Sequence, residues 1–268
     1  MILLSSWYDC SVDIAFSLFN QIPIHSFSLI LGIGVLIGLH GVINEALVEG
    51  NDTNLYLNFT LLILLGSLLG GRAAYIGLHW AYFQQHLDEI LRFWLGGLGW
   101  VGALGGGIIT LTIIALLRGR HFGDMCDTIL PLLTAMTISI WLGCWVAGTA
   151  YGPKVDAWWG IPVQDMRGDV SIRWPLQPLG ALLTVGISWG ISAFWSKLHT
   201  PGLRFALTLA GISLMQLGLS ALRVDPGPFW NGARLDLWAA LVFFTSSTLI
   251  AIMIYMKAYT HLLISEKS

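Results

Sequence analysis

Arg72 stands in "LLGGRAAY", a guanidinium inside an otherwise apolar run. A charge in such surroundings is costly, so it either pairs with a carboxylate or phosphate or snorkels to the edge of the apolar layer. His25, His40 and His79 lie in or beside apolar stretches, where an imidazole can ligate a haem or a chlorophyll or simply bond to a neighbour. For His40 that neighbour is Asn44, one helical turn on. No two histidines have the i, i+4 spacing of a metal pair, and Cys10, Cys126 and Cys144 have no metal-ligand spacing. Cys126 and Cys144 fall in or beside apolar runs, where thiols ordinarily pack rather than react. There is no Gly-x-Ser-x-Gly, no His-Glu-x-x-His and no pair of carboxylates within one apolar run. "FWLGGLGWVGALGGG", residues 93–107, is rich in glycine, but it lacks the preceding strand and the Gly-Lys-Ser/Thr of a phosphate loop. Spacing alone therefore names no reaction.

The elements that hold these residues are easier to read. Of 268 residues, 56% are hydrophobic and 10% charged, and the mean hydropathy is +0.74. Soluble domains carry about 25% charged residues, so this chain belongs in a membrane. Apolar runs of spanning length occupy residues 27–48, 57–79, 97–117, 125–148, 176–196, 203–222 and 235–258. The expected fold is an all-α integral membrane protein of seven transmembrane helices, in a single domain over residues 1–268. Within that domain, residues 1–26 form an external N-terminal segment without Lys or Arg, and 149–175 a long external loop. Residues 80–96 are amphipathic and fit the membrane surface. Arg118, Arg120, Lys197 and Arg204 mark the turns on the C-terminal side, which places the N-terminus outside and the C-terminus in the cytoplasm. Trp158, Trp159 and Trp174 suit a lipid–water boundary. Three Gly-x-x-x-Gly pairs, Gly34/Gly38, Gly66/Gly70 and Gly102/Gly106, predict close helix contacts. The net charge of −2 is uninformative about partners, and no basic run suggests a nucleic-acid partner.

The blocks "IHSFSLILGIG", "LLGGRAAY", "FWLGGLGWVGALGGG", "DTILP", "WLGCWVAGTAYG" and "RWPLQP" occur in the order found in bacterial prolipoprotein diacylglyceryl transferases, over about residues 22–226. The chain resembles that family, which has seven membrane helices and moves a diacylglyceryl group from phosphatidylglycerol to a lipoprotein cysteine. The resemblance implies a location in the bacterial inner (cytoplasmic) membrane as a multi-pass protein. It also implies a way to activate a thiol and cations that hold a departing glycerol phosphate.

Carried over position by position, the resemblance is incomplete. Trp94, Gly96, Gly97, Trp100 and Gly102 match the family's glycine block, but Val101 stands where the family has histidine. Leu142, Gly143 and Gly148 match the fourth-helix block, while Trp141 replaces arginine and Cys144, Ala147 and Thr149 replace two asparagines and a glutamate. Gly152, Pro175 and Gln177 are kept, while Trp174, Leu179 and Gly180 replace histidine, tyrosine and glutamate. Phe27 replaces a tyrosine, and alignment on Arg223 puts Gln216 at a second arginine and Ser220 at a glutamate. The remnants expected to face a lipid headgroup, or to serve structure, are Arg72, Gly152, Arg173, Gln177 and Arg223. The positions expected to have lost catalysis are Phe27, Val101, Trp141, Cys144 and Gln216.

From these losses the sequence predicts a catalytically inactive relative with no catalytic residues. It would serve as an accessory subunit among other integral membrane subunits and membrane lipids, with a photosynthetic or respiratory complex as host. The alternative is an active phosphatidylglycerol–prolipoprotein diacylglyceryl transferase with relocated site residues, in which Arg72, Arg173 and Arg223 hold the headgroup and His25 serves as base. A third reading is a greasy cavity that binds a lipid, quinone or pigment. No metal and no cofactor is implied by any motif.

Overall fold

A computed structural model describes residues 14–18, 22–92, 96–165, 167–195 and 200–265. Among the described residues, seven helices are long and apolar enough to cross a membrane. They are α1 (Ser26–Val48), α2 (Thr53–Leu78), α4 (Trp100–Arg118), α5 (Phe122–Val146), α6 (Leu176–Trp195), α7 (Leu203–Leu222) and α8 (Leu235–Ser265). A single turn, α3 (Trp80–Phe83), follows α2, and Leu87–Glu89 form a 3-10 turn. The protein is therefore a multi-pass membrane protein, as its composition requires.

Three short antiparallel hairpins add to the expected all-helical architecture. β1 (Ile14–Leu18) pairs with β2 (Ile22–His25), β3 (Ile161–Gln164) with β4 (Val170–Arg173), and β5 (Phe229–Trp230) with β6 (Ala233–Arg234). Each satisfies backbone groups in a connection that no helix continues through. Within the 149–175 segment β3 and β4 form an antiparallel hairpin. Asp165 closes its turn: the Oδ1 atom accepts from the N–H groups of Arg167 at 3.0 Å and Asp169 at 3.1 Å, and Gly168 adopts φ +87°.

The residues group into two compact units. The first contains residues 1–37, 133–197 and 207–250, and its core gathers Trp141, Ala150, Leu176, Ala181, Ile212, Met215 and Leu219. The second contains residues 38–132, 198–206 and 251–268. Its α2 and α4 meet through glycine: a Cβ on Gly70 would lie 2.9 Å from the Gly106 Cα, and one on Gly106 3.0 Å from the Gly70 Cα. This confirms the small-residue reading of those pairs, because only hydrogen lets the two backbones touch there. Asp52 caps α2 through the N–H groups of Asn54 and Leu55. Asp127, on α5, accepts from Gly202 at 2.7 Å and Phe205 at 2.8 Å and so closes the start of α7. Arg204 pairs with Glu45 at 2.5 Å in the same unit.

The third span starts later than residue 97. Gly96 and Gly97 have φ of +92° and +75°, and α4 begins only at Trp100. Left-handed backbone cannot enter a right-handed helix, so the first glycines of "GGLG" form its approach. Within the amphipathic stretch after α2, Trp80–Phe83 and Leu87–Glu89 form two short turns.

Candidate functional site

The end of the first unit where α5 and α7 finish and α6 and α8 begin collects its polar side chains. Arg173, at the end of β4, is buried with Asp165 at 3.1 Å and with its guanidinium carbon 4.4 Å from the centre of the Tyr151 ring. Its Nη1 also donates to the carbonyl of Gly152 at 3.4 Å. Gln177, in the first turn of α6, donates from Nε2 to the carbonyl of Thr149 at 2.9 Å. The Tyr151 carbonyl accepts from the N–H of Val224, which ties this turn to the end of α7. Burial and the Asp165 charge push the Tyr151 hydroxyl pKa up against the opposing pull of Arg173.

Arg223 follows α7 and grips Asp225 with two bonds, 2.9 Å and 2.6 Å. Asp236 lies 3.4 Å from the same guanidinium, and Arg234 approaches Asp225 at 3.7 Å and Asp236 at 3.5 Å. Burial works against the Arg223 charge, but the bonds and charge of Asp225 and the charge of Asp236 outweigh it and hold its pKa above the ordinary arginine value. Two arginines and two aspartates thus form a locally neutral quartet. Cys144 lies within electrostatic reach of Arg223, Asp225 and Asp236.

Apolar side chains dominate the core of this unit. Trp141 is 4% exposed and packs against Gly180, where a Cβ would come within 2.9 Å of the indole Cγ. Phe27 lies on Gly143, with a hypothetical Cβ 2.6 Å from its ring. Gln216 donates to the Ser220 hydroxyl at 3.2 Å, one turn along α7. Trp174, Leu179 and Cys144 pack around the same core.

The structure therefore brings Gly152, Arg173, Gln177 and Arg223 to one end of the first unit, with Phe27, Trp141, Cys144 and Gln216 in the same unit. Arg72 and Val101 belong to the second unit. Arg72 meets neither expected partner through the hydrogen bonds the structure gives it. Its Nε donates to the Ile90 carbonyl at 2.9 Å, Nη1 to Gly96 at 2.8 Å and Gly97 at 3.2 Å, and Nη2 to Glu89 at 2.6 Å. It pins the approach to α4. His40 bonds to Asn44 at 3.1 Å, as its spacing predicts. Trp94, Cys10, Lys197 and His199 lie outside the described residues.

Sequence reasoning missed Asp165, Tyr151, Asp225, Asp236 and Asp127. The Asp-x-x-Gly turn at 165–168 and the acid two residues after Arg223 were the signals available.

The family model for prolipoprotein diacylglyceryl transferase matches residues 13–262. The chain belongs to the prolipoprotein diacylglyceryl transferase family. It is similar to the phosphatidylglycerol–prolipoprotein diacylglyceryl transferase of Bacillus licheniformis, 32% identical over 53% of this chain and 53% of that protein. It is also similar to the transferases of that name from Thermosynechococcus vestitus, 24% identical over 76% of this chain and 79% of the relative, and Trichormus variabilis, 25% identical over 77% of each. The matched stretch spans about half the length of the first of these relatives. Family membership and the seven helices agree with a multi-pass protein of the bacterial inner membrane. The relatives carry the name of a working transferase, and this overturns the expectation of a catalytically inactive accessory subunit, along with the photosynthetic or respiratory host attached to it. That expectation rests on the selective loss of polar site residues in an otherwise intact scaffold, a scaffold the family model matches from 13 to 262.

Proposed function

We propose that the protein is a membrane transferase that moves a diacylglyceryl group from phosphatidylglycerol to the cysteine of a prolipoprotein, with site residues relocated from the family's usual positions. The match over residues 13–262 carries this reading. In the reaction the cysteine sulfur bonds to the glyceryl carbon, the bond from that carbon to the phosphate oxygen breaks, and glycerol phosphate leaves with the electron pair. The thiol proton must go to a base. His25, directly before α1, is the group proposed to take it.

Arg173 and Arg223 are the cations proposed around the leaving phosphate. Each already has an aspartate partner, so the site binds an anion only as that carboxylate yields or shares its arginine. Arg72 is proposed to hold the carbonyls of Glu89, Ile90, Gly96 and Gly97 rather than the headgroup. Val101, Trp141, Cys144, Gln216 and Phe27 supply packing in this scheme, and membrane lipid is the donor substrate. The proposed topology has the N-terminus outside and the C-terminus in the cytoplasm.

Complementation tests the reading. Expression in a bacterium depleted of its own transferase should restore growth and lipoprotein processing, and His25→Ala should abolish the rescue. Failure of the wild-type protein to rescue while it accumulates in the membrane would sink the proposal.

A further inference from the structure

The connection between α7 and α8 is turned inside out for a loop in water. From Leu222 to Trp238 it carries four charged residues, Arg223, Asp225, Arg234 and Asp236. Their side chains are 15%, 4%, 7% and 18% exposed, because they spend their charge on one another. Apart from Asn231 in the turn, the exposed side chains of this stretch are Leu222, Val224, Pro226, Pro228, Phe229 and Trp230. Phe229 is 67% and Trp230 62% exposed.

This aromatic pair is held out rather than left to collapse. Asn231 and Gly232 join β5 to β6 with φ of +51° and +80°, the two left-handed residues of a tight hairpin turn. The Pro228 carbonyl accepts from the N–H of Leu235 at 2.9 Å, and the Trp230 carbonyl accepts from Nε1 of Trp238 at 3.1 Å. Both bonds tie the hairpin to the first turn of α8, whose apolar span starts at Leu235. Phe229 and Trp230 therefore stand where α8 enters the apolar layer.

We infer that this hairpin is a membrane anchor, with Phe229 and Trp230 seated among the lipid headgroups on the side where α8 begins. Aromatic rings favour that boundary, which accommodates an apolar body and a polar edge together. A loop in water would turn its charges outward, and a seat for a charged peptide would keep a charge at its rim. This surface does neither. Arg234, opposite Phe229 in the ladder, sends its guanidinium to the Asp225 carbonyl, so the anchor also fixes one arginine of the quartet relative to the membrane surface. The anchoring is independent of any transfer reaction.

Electron paramagnetic resonance on the full chain in phosphatidylcholine–phosphatidylglycerol vesicles measures the depth. A nitroxide is attached at Pro228→Cys, beside the intact aromatics, in a chain carrying Cys10→Ser, Cys126→Ala and Cys144→Ala. Its collisions with oxygen and with a water-soluble nickel chelate are calibrated on spin-labelled lipids. The label should lie at the headgroup–acyl boundary, about 5–10 Å into the bilayer surface. Phe229→Ser combined with Trp230→Ser keeps the main-chain bonds of the hairpin and should return the label to water. Val224→Cys, on a residue 52% exposed, supplies a second label position if Pro228→Cys does not fold, and the depth with intact aromatics decides if the serine pair does not fold. A label that meets the chelate as freely as in buffer overturns the inference. So does a label shielded from both reagents, which would mean that a protein partner or a second copy covers the hairpin. A depth unchanged by the two serines overturns it as well.

Discussion

Trp141 packs against Gly180, and Gln216 donates to Ser220. At these positions the resemblance implies an arginine and a glutamate in place of each pair. Here a large ring meets an absent side chain, and a carboxamide meets a hydroxyl, so no buried charge is left unpartnered by the change. Gly180→Ala should cost about 1–3 kcal/mol by overpacking the indole. The same change made on Trp141→Leu should cost much less, and a double-mutant cycle of unfolding in mild detergent reads the coupling. Tyr151 gives a pH signature outside the spans. Its folded pKa lies above that of a free tyrosine, about 10, so the folded state holds the proton longer than the unfolded one. The stabilisation is whole below pH of about 10 and is lost as pH rises through the folded value, so Tyr151→Phe should flatten the alkaline fall in stability seen by thermal unfolding. A change in the other direction would contradict the buried, neutral hydroxyl. Gln177 and Gly152 were legible in the sequence through the resemblance. Their use of backbone carbonyls was not, because a residue name does not say which of its atoms is spent on the main chain.

Among the elements, the approach to α4 carries the clearest division of labour. Arg72 spends its guanidinium on four carbonyls of residues 89–97, and Gly97 takes a left-handed turn under the ring of Tyr75, where a Cβ would meet Tyr75 Cδ1 at 2.8 Å. Arg72→Ala should cost about 2 kcal/mol, because several carbonyls lose a charged donor at once. It should also make residues 87–97 the first site of proteolysis, which limited trypsin or thermolysin digestion checks. Gly70→Ala should separate α2 from α4 and cost about 1–3 kcal/mol, read as a lowered unfolding midpoint in detergent, whereas Gly105→Ala, with open space at its Cβ, should be neutral within error. The glycine pairs were legible because spacing on a helix is a local property. The Arg72 contacts were not, since they join residues seventeen or more positions apart.

For the whole molecule, hydropathy was enough to find seven spans, because a membrane imposes length and apolarity on each one separately. The three hairpins escaped notice because they are short and lie in polar connections where strand and turn signals merge. The expectation of an inactive accessory subunit rests on the loss of polar site residues from a kept scaffold, and the transferase names of the relatives overturn it. The direct test is incubation of the purified protein with phosphatidylglycerol and a lipoprotein signal peptide carrying its cysteine, followed by mass spectrometry of the peptide. The account predicts a peptide heavier by one diacylglyceryl group, with glycerol phosphate released in equal amount. An unmodified peptide, in vesicles where a transferase from Bacillus licheniformis modifies it, would contradict the account.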